Sequence, residues 1–167
     1  MLKYIYNLEP FFEDCYVELG VREYSRIMNM TPPTASKLLK QYVSEGFLKS
    51  RSERKYLLFS ANRQSKIMKD FSRIYWSSKF IKLIEYLNSF SPKAIVLFGS
   101  LSKLETKKKS DVDILVLGFS NKKINLEKFE KELKREIQIF QYDSLDKINK
   151  ELKLNVINGY LLGGYIS

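Results

Sequence analysis

The sequence predicts an α+β protein: helices closed by a hairpin at the N-terminal end, a helical linker, and a C-terminal α/β part with a small mixed sheet. Three observations carry this. Apolar residues recur at helical spacing from Val21 to Val43 and again from Ile67 to Leu87. Two short runs around Ser52-Glu53-Arg54 read as the arms of a hairpin. Two nearly all-apolar runs, Ala94 to Phe98 and Ile114 to Leu117, read as buried strands. The boundaries expected are 1–60, 61–90 and 91–167.

Composition narrows the function classes. The chain has 167 residues, 44% of them hydrophobic, enough for a packed core. No apolar run approaches the roughly 20 residues a membrane helix needs, and Met1 to Tyr6 lacks a signal-peptide pattern. The expectation is a cytoplasmic protein with no membrane partner. Cys15 is the one cysteine and there is no histidine, which excludes an internal disulfide, a zinc finger and a Ser-His-Asp triad. The net charge of +10 is uneven: residues 1–29 carry −2, and residues 30–60, 61–90 and 91–167 each carry +4. A basic balance suits a polyanionic partner, and equally a lysine-rich solubilising surface.

The N-terminal residues predict a helix from about Pro10 to Leu19, ended by Gly20, and a second from Val21 to Met28. Thr31 then caps a third helix, with Pro32 at its first position. Ala35, Leu38, Leu39, Tyr42 and Val43 form its buried stripe. Thr34, Ser36, Lys37, Lys40 and Gln41 form a small, polar, basic face that suits a DNA major groove. Phe47 to Arg51 and Lys55 to Phe59 follow as strands, with Arg51, Arg54 and Lys55 near the tip, where they can reach phosphates. In this order the capped turn, the helix, the Glu45-Gly46-Phe47-Leu48 exit and the basic hairpin resemble winged helix-turn-helix domains. That resemblance implies double-stranded DNA as a partner. A winged helix used only for protein contacts is the other reading.

Ile67, Phe71, Ile74, Tyr75, Ile81, Ile84 and Leu87 place an apolar stripe along the linker, which packs on its own domains or on a second copy in a homodimer. Ser91-Pro92 ends it.

The most informative stretch is Ala94 to Gly118. The first strand stops at Gly99-Ser100, ten residues intervene, and Asp111-Val112-Asp113 opens the next strand. Two acids at the start of a core strand need a reason, because carboxylates are seldom buried unpaired. Residues two apart on a strand share a face, roughly 6.5–7 Å apart, so Asp111 and Asp113 can converge on a hard cation. Glycine permits close backbone approach, Ser100 offers a hydroxyl and an amide, and Lys103, Lys107, Lys108 and Lys109 add positive charge. The pattern suits a metal-bound nucleoside triphosphate.

Phe98-Gly99-Ser100 and Asp111-Val112-Asp113 resemble the signature of minimal nucleotidyltransferases of the DNA polymerase beta superfamily. The resemblance implies that Asp111 and Asp113 are catalytic and bind Mg2+ or Mn2+. It implies that Gly99 and Ser100 hold ATP or another NTP, and that an NMP passes to a hydroxyl. It also implies a third carboxylate on a later strand. Here Glu136 to Phe140 is that strand, and Gln138 falls at the acid's position, with Glu136 two residues earlier on the same face. An amide is neither a base nor a good substitute metal ligand.

Beyond Gly118, Asn125 is expected to cap a helix reaching about Arg135, Ser144 another, and the apolar tail from Asn155 to Ile166 docks on the sheet. The whole arrangement is similar to regulators, common in archaea, that fuse a winged helix to a nucleotidyltransferase-like domain. Two functions follow from it: a transferase, whose acceptor by analogy with related antitoxins is a HEPN-type toxin, or a DNA-binding regulator whose second domain only senses nucleotide.

Overall fold

A computed structural model describes residues 2–166. The chain divides into two compact units, Met1–Ser72 with Leu104–Lys108, and Arg73–Lys103 with Lys109–Ser167.

The first unit holds α1 (Leu2–Glu13), β1 (Leu19–Gly20), α2 (Val21–Ile27), α3 (Pro32–Ser44), β2 (Leu48–Glu53) and β3 (Tyr56–Ala61). The first helix starts earlier than its sequence suggests and contains Pro10. Ile5, Leu8, Phe11 and Phe12 are all buried on it, and this aromatic and aliphatic packing outweighs the backbone hydrogen bond that proline cannot make. What reads as the end of a helix at Leu19 is instead a two-residue strand, paired antiparallel with β3 through Leu19–Phe59 and Gly20–Leu58. Buried Asn7 ties three helices together: its Nδ2 donates to the Tyr42 hydroxyl at 3.0 Å, and its carbonyl accepts from the Tyr24 hydroxyl at 2.7 Å.

Thr31 stands at the N-cap of α3 with proline next to it. Ala35, Leu39 and Tyr42 are buried, and Thr34, Lys37, Lys40 and Gln41 are exposed. Strands β2 and β3 form an antiparallel hairpin in register from Leu48–Ala61 to Glu53–Tyr56. Its tip residues, Arg54 and Lys55, have φ of 46° and 70°. A two-residue hairpin turn with both φ values positive normally carries Asn-Gly or a similar pair.

Two helices follow, α4 (Lys66–Lys79) and α5 (Ile81–Asn88), and the division between units falls within α4. The linker stripe is only partly as the sequence suggests. Tyr75 and Leu87 are buried, together with Met68, Trp76, Phe80 and Leu83, but Ile67, Ile74 and Ile81 are exposed. In α4 the buried face runs through Met68, Ser72, Tyr75 and Trp76, about one position off the expected stripe, which leaves Ile67 and Ile74 outside it.

The second unit is built on a mixed four-stranded sheet of order β6-β5-β4-β7. Strand β4 (Ala94–Phe98) pairs antiparallel with β5 (Val112–Leu117) and with β7 (Tyr160–Gly164), and β5 pairs parallel with β6 (Ile137–Tyr142). All five residues of β4 are buried. One sheet face packs Ala94, Val96, Phe98, Leu115 and Leu117 against Ile148 and Val156. The alternate residues Ile95, Leu97, Ile114 and Val116 are buried on the other face.

Between β4 and β5 the chain forms α6 (Gly99–Lys103), where the sequence suggests only a turn. Helix α7 (Glu127–Leu133) is shorter than its pattern, and Leu126 rather than Asn125 stands at its N-cap. Ser144 opens a single 3-10 turn, Leu145–Lys147. The helix beyond it, α8 (Lys150–Ile157), is capped by Asn149, whose side chain accepts from the Leu152 amide. The apolar tail joins the sheet as β7.

Replacing the hairpin-tip pair with Arg54→Asn and Lys55→Gly should stabilise the chain by roughly 1 kcal/mol or more, because both positions then match their left-handed backbone. Thermal unfolding of the double variant against wild type measures it, and an unchanged or lower Tm would show that the two side chains stabilise the tip by other contacts.

Candidate nucleotide and metal site

The β4–β5 register builds the site. Phe98 lies opposite Asp113 in the antiparallel pair, so the residue after Phe98 meets the Asp113 side chain. That residue is Gly99, at φ +70°. A Cβ there would lie 2.1 Å from Asp113 Oδ2, so only glycine fits on both steric and backbone grounds. The Gly-Ser turn and the acid pair, separated by ten residues of sequence, are in contact in the fold.

Asp113 is half-buried at the mouth of a buried strand, and Asp111 precedes that strand. Burial pushes the Asp113 carboxyl above its ordinary value and the Asp111 charge pushes it further, while Lys103 offsets part of the rise. Lys103, on α6, is anchored by Asn155, whose Oδ1 accepts from Nζ at 2.9 Å. Ser102 at the end of α6 is held through its carbonyl, which accepts from Arg73 Nε at 3.0 Å. Ser100 is partly exposed beside Gly99.

The parallel β5–β6 register sets Gln138 directly beside Asp113. Its Nε2 donates to Asp111 Oδ2 at 2.9 Å. An amide thus occupies the place beside the acid pair, and Glu136 is exposed. Among the described residues no cluster of three or more metal-ligating side chains occurs. Two carboxylates, one of them pushed up in part by the charge of the other, still suit a single divalent cation, which would relieve that repulsion. The donor set fits one ion held by Asp111 and Asp113.

Residues 81–162 match the family described as Polymerase beta, Nucleotidyltransferase. This part of the chain is similar to those nucleotidyltransferases. The matched stretch of the nucleotidyltransferase-like domain begins at the first residue of α5 and ends within β7, so it takes in α5 as well as the sheet. No curated protein and no solved structure matches the chain.

The loop lysines do not act as one group. Thr106 and Lys107 belong to the first unit: the Thr106 carbonyl accepts from the Cys15 amide at 2.8 Å, and Lys107 Nζ lies 5.5 Å from the Tyr16 ring centre. Lys103 is the lysine whose charge reaches Asp113. Its anchor Asn155, together with Arg73 and Arg135, carries no sequence signal, since each partner lies far along the chain.

In the first unit, the α3 face and the hairpin differ in how available their polar groups are. Thr34 Oγ1 meets Thr31 Oγ1 at 2.9 Å, and Gln41 Nε2 donates to Glu45 at 2.8 Å. Ser36 is half-buried, and Lys37, Lys40, Arg54 and Lys55 are exposed. Arg51 is engaged by two acids, with Nε 2.6 Å from Glu18 and Nη1 2.6 Å from Glu53. That pairing raises the Arg51 pKa and lowers that of Glu18, and it largely cancels the charge the hairpin would otherwise present there.

The raised Asp113 pKa carries a sign for stability. The folded chain holds this proton more tightly than the unfolded chain, so stability falls as pH rises through the carboxylate range, and the penalty is complete above the folded pKa. Asp113→Asn should therefore raise Tm at neutral pH, with the gain shrinking as pH falls through the raised Asp113 pKa and gone below the ordinary Asp value of about 4. Thermal unfolding across that range tests this, and a Tm gain independent of pH would disprove the electrostatic origin.

Proposed function

We propose that the second unit binds a metal-bound nucleoside triphosphate and transfers its NMP to a hydroxyl acceptor. The observation that supports this reading is the Gly99–Asp113 approach, which brings the Gly-Ser turn against one member of a pair of electrostatically interacting carboxylates. Asp111 and Asp113 hold Mg2+ or Mn2+. The ion, when bound, neutralises charge on the phosphates. Gly99 and Ser100 border the triphosphate, ATP being the first candidate, and Lys103 lies on the same side as a counter-charge. The acceptor oxygen bonds to the α-phosphorus as the bond to pyrophosphate breaks, and the hydroxyl proton is lost to solvent. Phosphoryl-type transfer depends mainly on positioning and charge neutralisation, so an amide at Gln138 slows the reaction without forbidding it. A protein hydroxyl, of the HEPN-toxin kind by family analogy, is the acceptor class to test first.

Incubating the chain with α-labelled ATP and Mg2+, alone and with extract of its own cells, should label an acceptor, and the Asp111→Ala, Asp113→Ala variant should not. Gln138→Glu should raise transfer by roughly 100- to 10,000-fold, the range a well-placed acid or base contributes. Equal labelling by wild type and the double variant would sink this reading.

A second reading has its own support: the Gln138 amide already occupies an Asp111 oxygen, and the first unit exposes cations on α3 and at the hairpin tip. In this reading the first unit is a winged helix that binds double-stranded DNA through Lys37, Lys40, Arg54 and Lys55, with Thr34, Ser36 and Gln41 facing the groove. Arg51 joins only by leaving Glu18 and Glu53. The nucleotide site then regulates binding. Removing Lys37 and Lys40, or Arg54 and Lys55, should each reduce the slope of log affinity against log salt by about 2. Duplex binding with an unchanged slope in both variants would move the DNA face elsewhere.

A further inference from the structure

Asp111 is the member of the acid pair that the sheet does not enclose, since β5 begins one residue later. Its direction has to be fixed by something else, and one short segment does so at three points. Arg135 Nη1 donates to the Ser110 carbonyl at 2.8 Å. The Val112 amide donates to the Glu136 carbonyl at 2.8 Å. Gln138 Nε2 donates to the Asp111 carboxylate itself at 2.9 Å. The residue before Asp111, the residue after it and its own side chain are all held by residues 135–138.

The Arg135 contact is the unexpected one. Glu136 contributes only backbone, which any residue supplies, whereas Arg135 brings a guanidinium on a residue that is only 7% exposed. Burying a charged side chain carries a large desolvation cost. Here the group lies with its Cζ 5.0 Å from the ring centre of Trp76, itself 1% exposed. A planar guanidinium can stack on an indole and still direct an N–H sideways to a carbonyl, which an ammonium cannot do in the same way. Lys134, immediately before it, has φ +55°, a left-handed conformation that ends α7 and turns residue 135 inward.

We propose that Arg135 is a positioning residue for the metal site: braced on Trp76, it fixes the Ser110 carbonyl and through it the direction in which the Asp111 carboxylate leaves the backbone. This rests on the reading of Asp111 and Asp113 as the ion-binding pair. It predicts that Arg135 affects divalent-cation affinity, whether or not the site proceeds to transfer.

The test is Mn2+ binding to the full chain, read as free Mn2+ by electron paramagnetic resonance, for wild type, Arg135→Lys, Arg135→Met and Asp111→Asn/Asp113→Asn. Tm and near-ultraviolet circular dichroism are recorded in parallel, with Trp76, the only tryptophan, reporting the fold around the guanidinium. The expected result is wild type tightest, Lys weaker by a few fold and Met by about tenfold, each normalised to folded protein, with a 1:1 stoichiometry kept. A lower Tm in both variants at unchanged Mn2+ affinity would make Arg135 a purely structural residue and overturn the inference. If Met fails to fold, the Lys variant decides between these outcomes. Wild type that binds no Mn2+, or binds it as well as the Asp111/Asp113 variant, would overturn the site reading itself.

Discussion

The close approach of Gly99 to Asp113 is the constraint on which the second unit depends. It requires β4 and β5 to pair antiparallel in one register, because a shift of one residue would turn the Asp113 side chain to the opposite face of the sheet. It requires a left-handed backbone at residue 99 and no side chain there. The apolar residues on both faces of β4 and β5 hold the register, and the register holds the acid against the turn. Core packing and site geometry are therefore a single requirement, which is why a wholly buried strand is followed by a glycine and two acids flank the first residue of its partner.

Electrostatics in the site run against stability. Burial and the neighbouring Asp111 both disfavour the charged form of Asp113, and only Lys103 opposes them. Natural chains commonly retain such arrangements where a ligand relieves them. The anchoring of Lys103 by Asn155, of the end of α6 by Arg73, and of Ser110 by Arg135 limits how far the like-charged groups can move apart. The first unit presents the reverse pattern. Its Arg51 is neutralised by Glu18 and Glu53, yet the hairpin tip keeps two exposed cations in a backbone conformation that favours glycine. Arg and Lys in the left-handed conformation cost stability at that turn.

Much of this was readable from residue order alone. The Thr31-Pro32 cap, the α3 stripe, the hairpin and the two buried strands all follow from local pattern, whereas the place of Gln138 beside the acid pair was implied only by the family resemblance. Each depends on spacing within a dozen residues or on a strand whose period is two. The misplaced first helix shows the limit: Pro10 reads as a starting signal, and only the burial of Ile5, Leu8 and Phe12 together explains why the helix runs through it. The linker shows the same limit, because helical spacing names a stripe without saying which side of it the rest of the chain covers.

The sequence by itself determined the chemistry available: two acids two residues apart, a Gly-Ser turn, an amide where a third acid would serve, and basic residues on a helix face and a hairpin. Tertiary structure alone decided which of these groups meet. Lys103 reaches Asp113 while Lys107 lies over Tyr16 in the other unit. Arg51 is taken up by an acid 33 residues away. Arg135, unremarkable at the end of a helix, donates to the carbonyl of Ser110, 25 residues away. Residue type and short-range spacing set what a side chain can do, but contacts between distant segments depend on how strands pair and where helices end. Those are settled by the packing of the whole core rather than by any local run.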